Sequence, residues 1–166
     1  MDKLVGNRII VLGSPGSGKS TLSVRLHART NLPLVHLDNI WWRPDRTHIT
    51  REEFDRRLAE IMRGERWILD GNYRRTYEMR LRNCDTVIFL DYDTEVCMHG
   101  INSRIGKPRP DMPWVETGLD PELAAFVQSY KLEERPLIIS LLEKYASKRR
   151  LVFRTREESD TWLSSL

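Results

Sequence analysis

A glycine-rich turn closed by a lysine and a hydroxyl residue can wrap a row of phosphates. Residues 13–20 have that form, Gly13-Ser14-Pro15-Gly16-Ser17-Gly18-Lys19-Ser20, a G-x-x-x-x-G-K-[ST] pattern. Glycines let the backbone approach phosphate oxygens closely enough to aim consecutive N–H groups at them. In such a loop the lysine reaches the β- and γ-phosphates and the next hydroxyl takes Mg2+, so Lys19 and Ser20 are read in those roles, with Thr21 beside them. The ligand implied is a nucleoside triphosphate, ATP first among them, with Mg2+.

Other residues have the types that phosphoryl transfer needs. Asp70 follows an apolar run, as a Walker B carboxylate does, and can complete the metal shell opposite Ser20. Asp91 stands in the same relation to its own apolar run, and Asp-Gly-Asn at 70–72 is equally a turn sequence. His36 and Asp38 close another run, where a carboxylate can orient or deprotonate an attacking hydroxyl; the plainer reading is a loop or N-cap Asp beside a core histidine. Trp41 and Trp42 follow, flat enough to stack on an acceptor ring or simply to pack. Arg104, Lys107 and Arg109 lie on a Gly- and Pro-punctuated stretch that can close over the transferred group, or can be a solvated basic loop. Arg74, Arg75, Arg80 and Arg82 cluster after Asp70; one can bind a phosphate, while scattered arginines on a helix usually face solvent.

These groups need elements to hold them. Arg8 to Leu12 reads as a buried strand and Lys19 to Arg29, with Leu22 and Leu26, as a helix, so the helix starts where the anion sits. Strands are also expected at Leu34–Leu37, Trp67–Leu69, Thr86–Leu90 and Leu151–Phe153. Between them, a capping box at Thr50 and Glu53 opens a helix burying Phe54, Leu58 and Ile61 and stopping at Gly64. A helix runs from Thr94 to about Ile105, and another opens at Asp120-Pro121, interrupted at Pro136 before Leu137–Tyr145. Thr155 and Glu158 cap a closing helix that buries Trp162 and Leu163. This alternation is that of an α/β domain on a parallel sheet, in which ligands gather at the carboxyl ends of the strands.

At 166 residues the chain suits one domain, 1–166, and 40% apolar with 31% charged residues is too apolar for a disordered chain. A net charge of +3 suits anionic ligands but is not the dense basic face of a nucleic-acid binder, so DNA is permitted and not supported. Cys84 and Cys97 have neither a disulfide nor a zinc spacing. Asp2 and Lys3 precede an apolar run too short for a signal peptide, and no run approaches the roughly 20 residues of a membrane span, so a cytoplasmic location is expected.

Taken together, the phosphate loop, Asp38, Leu69-Asp70-Gly71-Asn72-Tyr73-Arg74 and the arginine-bearing loop resemble the adenylate kinase-like small P-loop kinases. Within them the chain is most similar to the bacterial DNA topology modulation proteins. The shared phrases are His36-Leu37-Asp38 with nearby tryptophan, Trp67 to Tyr73, Asp85 to Asp91 and Arg109 to Met112. The resemblance implies a three-layer P-loop fold with five parallel strands in order 2-3-1-4-5, an acceptor region after strand two and a short lid at about 104–120. It also implies that Asp70 rather than Asp91 serves Mg2+ and that Arg74 meets an acceptor phosphate, although Tyr73 stands where those kinases have proline. Arg154 and Thr155 fall where the family's adenine loop lies. Lys107-Pro108-Arg109-Pro110 is similar to the lid of shikimate kinase, which implies an acceptor hydroxyl served by Asp38.

The function expected is therefore that of a small-molecule kinase of the nucleotide or nucleoside kinase type, with Mg2+-dependent transfer of the γ-phosphoryl group of ATP to an unidentified small acceptor. Lys19, Asp38, Arg104 and Arg109 are expected to be catalytic, and His36, Asp38, Trp42 and Arg74 to line the acceptor. The alternative is an ATP-binding regulatory or DNA-associated protein without a small acceptor.

Overall fold

The computed structural model describes residues 5–166, so Asp2 and Lys3, on which part of the signal-peptide reading rests, lie outside it. In chain order the elements are β1 (Arg8–Gly13), α1 (Lys19–Thr30), β2 (Leu34–His36), α2 (Leu37–Trp41), α3 (Arg51–Met62), β3 (Trp67–Asp70), a 3-10 turn (Arg74–Thr76), α4 (Tyr77–Asn83), β4 (Thr86–Leu90), α5 (Thr94–Ser103), α6 (Pro121–Glu133), α7 (Arg135–Lys144), β5 (Arg149–Phe153) and α8 (Arg156–Ser164). The strands form one five-stranded sheet in the order β2-β3-β1-β4-β5, the order the resemblance implies. All the pairings are parallel, with Ile10 opposite Leu69 on one side of β1 and Val87 on the other.

Alternation along the central strands builds two cores, one on each face. Ile10, Leu12, Trp67, Leu69, Val87 and Phe89 enter the core shared with α3, α4 and α7. Ile9, Val11, Ile68, Ile88 and Leu90 enter the one shared with α1, α5 and α8. Each such side chain contributes roughly 1.5–3 kcal/mol on burial, which is why these short apolar runs form the centre of the sheet.

The helices follow the expected caps: Thr50 accepts from Glu53 N, Asp120 from Glu122 N and Thr155 from Glu158 N. In α3 the buried residues are Phe54, Leu58 and Met62, with Ile61 half-buried, one position from the face expected. A clearer difference lies after β2. Leu37, expected to end the strand, instead begins α2, fully buried, with Ile40 and Trp41 packed on the same core. The spacing 37, 40, 41 is helical, but five residues are too few to separate it from strand plus loop by pattern alone. Among the described residues, no helix is long and apolar enough to cross a membrane.

Candidate functional site

The phosphate loop leaves β1 and enters α1 at the carboxyl edge of the sheet. Gly16 (φ 80°) and Gly18 (φ 90°) hold the left-handed backbone that the wrap requires. Gly16 also packs backbone to backbone on α5, where a Cβ would overlap the Cys97 carbonyl, and Gly100 faces the Gly16 carbonyl in the same way. Lys19 Nζ rests 3.3 Å from the Ser14 carbonyl. Burial lowers its pKa from the usual lysine range, against the pull of Asp70 and Asp38.

Arg156, two residues beyond the expected Arg154, is the arginine that holds this loop. Its guanidinium donates to the Gly16 carbonyl (2.9 Å) and the Ser17 carbonyl (3.1 Å) and lies 5.6 Å from the Tyr92 ring centroid. Arg156 lines the cleft in front of the loop, whereas Arg154 does not. Nothing in the sequence separates these two arginines; the long-range contact does.

That cleft measures about 930 Å³ and is lined by Lys19, Ser20 and Thr21, by His36, Asp38, Trp42, Asn72 and Tyr73, and by Arg104, Arg109 and Asp111. Asp70 sits at its base, 3% exposed. Ser20 Oγ donates to Asp70 Oδ2 at 2.9 Å and His36 Nδ1 to the same oxygen at 2.6 Å, while Asp70 Oδ1 is buried without a partner. Burial pulls the His36 pKa down, but the hydrogen bond and charge of Asp70 outweigh it, and the net direction is up. An orphaned carboxylate oxygen beside the loop hydroxyl fits Mg2+, which takes one or two protein ligands and completes its shell with water and phosphate oxygens. The competing carboxylate is otherwise engaged: Arg135 donates to both oxygens of Asp91, at 2.8 and 2.9 Å, and Asp91 does not line the cleft.

Asp38 is half-buried and lines the same cleft as the loop. Tyr73 Oη donates to its Oδ1 at 2.7 Å. Burial, and then the charge of Asp70, lift the Asp38 pKa above the ordinary aspartate value, with Tyr73 and Lys19 pulling the other way. Tyr73 holds φ at 57°, a left-handed conformation closed to proline, whose ring fixes φ near −65°. The departure from the Asp-Gly-x-Pro-Arg pattern thus places a phenol on Asp38.

Beneath this corner the arginine cluster divides. Arg80, expected to face solvent, is fully buried. It donates to Thr76 Oγ1 (3.0 Å), the Gly71 carbonyl (2.9 Å) and the Asn72 carbonyl, and so braces the loop that carries Asn72 and Tyr73. Burial pushes its pKa down to about 10. Arg74 is exposed, pairs with Glu134 at 3.0 Å and does not line the cleft; Arg75 pairs with Asp55. The two tryptophans also divide. Trp41 stacks on His48 and meets Phe54 in the core, while Trp42 lines the cleft with its ring 5.5 Å from Trp114.

Trp114 belongs to the irregular segment between α5 and α6. Arg104 donates to Glu116 at 3.0 and 3.4 Å, and Arg109 lies 3.5 Å from Asp111 and 3.7 Å from Glu116. Burial and the neighbouring Arg109 charge lower the Arg104 pKa. Asn39 of α2 donates to the Pro110 carbonyl at 2.7 Å, which ties the segment to the acceptor side of the cleft. Lys107 is exposed and lies outside the lining.

No family model matches the chain, and no curated protein matches it. Among solved structures it is similar to a shikimate kinase from Bacteroides thetaiotaomicron, with a TM-score of 0.56 and 20% identity over 96% of this chain and 95% of that one. It is also similar to a gluconokinase from Sinorhizobium meliloti 1021, with a TM-score of 0.55 and 15% identity over 98% and 94% of the two chains. At such identities the likeness is one of fold, and the fold is that of an α/β P-loop protein.

Proposed function

We propose that the protein is a Mg2+-dependent kinase that moves the γ-phosphoryl group of ATP to a hydroxyl of a small acceptor. One observation carries the reading: the phosphate loop, the hydrogen-bonded Ser20–Asp70 pair and the Asp38 carboxylate, its pKa raised by burial, all line one cleft. The fold's neighbours, named for shikimate and gluconate, are kinases of small hydroxylated molecules, which supports the same class of reaction.

In this account the N–H groups of residues 14–20 hold the β-phosphate and Lys19 bridges it to the γ-phosphate. Ser20 and Asp70 would hold Mg2+, which when bound neutralises charge on the phosphate oxygens. Asp38, positioned by Tyr73, receives the acceptor's proton as the acceptor oxygen bonds to phosphorus and the bond to the bridging β-oxygen breaks, releasing ADP. Segment 104–120 acts as the lid, and Arg104 and Arg109 stabilise the equatorial oxygens in flight. Such chemistry draws on the ATP of the cytoplasm, where we place the protein. The reading extends to the DNA topology modulation proteins, whose shared phrases contain Asp38, Asp70 and Arg109.

The test is ADP formation from Mg-ATP with and without a panel of hydroxylated compounds. One of them should stimulate turnover, and Lys19→Ala should abolish the stimulation while leaving the fold intact by circular dichroism. Stimulation by DNA alone, or equal turnover in Lys19→Ala, would contradict the proposal.

A further inference from the structure

Two buried acceptor oxygens on residues that line the cleft, one on Asp111 and one on Asn72, have no hydrogen-bond partner. Asp111 is 6% exposed; its Oδ2 faces Arg109, and its Oδ1 is buried with no hydrogen-bond partner. Asn72 Oδ1 is likewise buried and unpartnered, and Asp38 lines the same cleft. A buried acceptor left unpaired costs about 1–3 kcal/mol, so such a site favours a ligand that brings donors. A phosphate or carboxylate group would bring only acceptors and would meet the charges of Asp38 and Asp111. Arg74, expected to meet an acceptor phosphate, is instead paired with Glu134 and stands outside the lining. Arg109, whose Nη2 also lacks a hydrogen bond, belongs in this account to the transferred group.

The remaining wall is aromatic. Trp42 and Trp114 both line the cleft, their indole faces at 83° to each other. Arg46 sits 5.5 Å from the Trp114 centroid and braces it. A flat ring resting on one of these faces gains dispersion and apolar burial while its hydroxyls reach Asp38, Asn72 and Asp111. A cleft of about 930 Å³ lies at the upper end of the size range of small-molecule sites and leaves room beside a triphosphate for a ring of that size.

We infer that the acceptor is an uncharged compound with a flat ring and several hydroxyls, of nucleoside chemistry, and is neither a phosphomonoester nor a carboxylate. The inference rests on the kinase reading above and adds the acceptor's class to it. Asp111 and Asn72 take its spectator hydroxyls, Asp38 the reacting one.

The full chain is assayed with Mg-ATP against nucleosides, the matching nucleoside 5′-monophosphates, and the hydroxy acids shikimate and gluconate, with the product's mass measured. A nucleoside should gain one phosphoryl group, with kcat/KM at least about tenfold above that of its monophosphate or of either hydroxy acid. Asp111→Asn should raise the KM for that nucleoside roughly tenfold and leave the KM for ATP within about twofold; Trp42→Ala should do the same, and Trp42→Phe should restore most of the loss. Preference for a monophosphate or a hydroxy acid, an unchanged acceptor KM in Asp111→Asn, or no turnover of any uncharged compound by protein that binds Mg-ATP would overturn the inference. Failure to bind Mg-ATP at all would instead strike the kinase reading.

Discussion

Asp38 answers two opposed demands. As proton acceptor it must be ionised, yet burial and the nearby Asp70 charge raise its pKa, so the folded protein holds the Asp38 proton more tightly than the unfolded chain does. Stability therefore falls as pH climbs from the ordinary aspartate value through the raised one. Asp38→Asn removes the charge and can still accept from Tyr73. It should lower kcat by about a hundredfold or more, while stability at neutral pH stays level or rises, as urea denaturation would show. In the wild type, kcat/KM should fall on the acid side at a pH above the ordinary aspartate pKa, and the variant's residual rate should lack that limb. A variant that loses stability in step with turnover would return Asp38 to a purely structural role. At this scale legibility followed contiguity. The phosphate loop is a local pattern and could be read whole, whereas the partners that define Asp38, Arg80 and Arg156 lie 35, 9 and 140 residues away in the chain.

Among the elements, the segment between α5 and α6 separates the proposed lid from a plain surface loop. Its arginines are held by Glu116 and Asp111 rather than spread in water, and its Pro110 carbonyl is tied to α2. Guanidiniums fixed in place lose little freedom when a phosphoryl group arrives, and this preorganisation makes them effective on developing charge. Arg109→Ala should slow phosphoryl transfer at least about tenfold and change Mg-ATP affinity little, as steady-state kinetics and an equilibrium titration would show. A variant within twofold of wild type would make the segment a surface loop. The helix caps were legible because each is a local pattern of side chain and N–H, such as Thr50 to Glu53 or Asp120 to Glu122. The turn of helix at Leu37–Trp41 was not, because its apolar residues serve strand and helix readings equally, and only the core beneath Leu37 decides.

Across the whole molecule, a sheet buried on both faces explains why strands of three to six residues suffice. It also explains why the polar residues that end them collect along one edge. The alternation of apolar runs and caps makes the α/β class legible, but strand order depends on which helix crosses which face, and no periodicity reports that; the order came from resemblance. Every element of the account meets at the turn around Lys19. Calorimetric titration of the folded protein with Mg-ATP tests it most directly: the wild type should bind one equivalent, and Lys19→Ala should bind at least about tenfold more weakly. A folded wild type that takes up no Mg-ATP, or a Lys19→Ala variant that binds it equally well, would contradict the account.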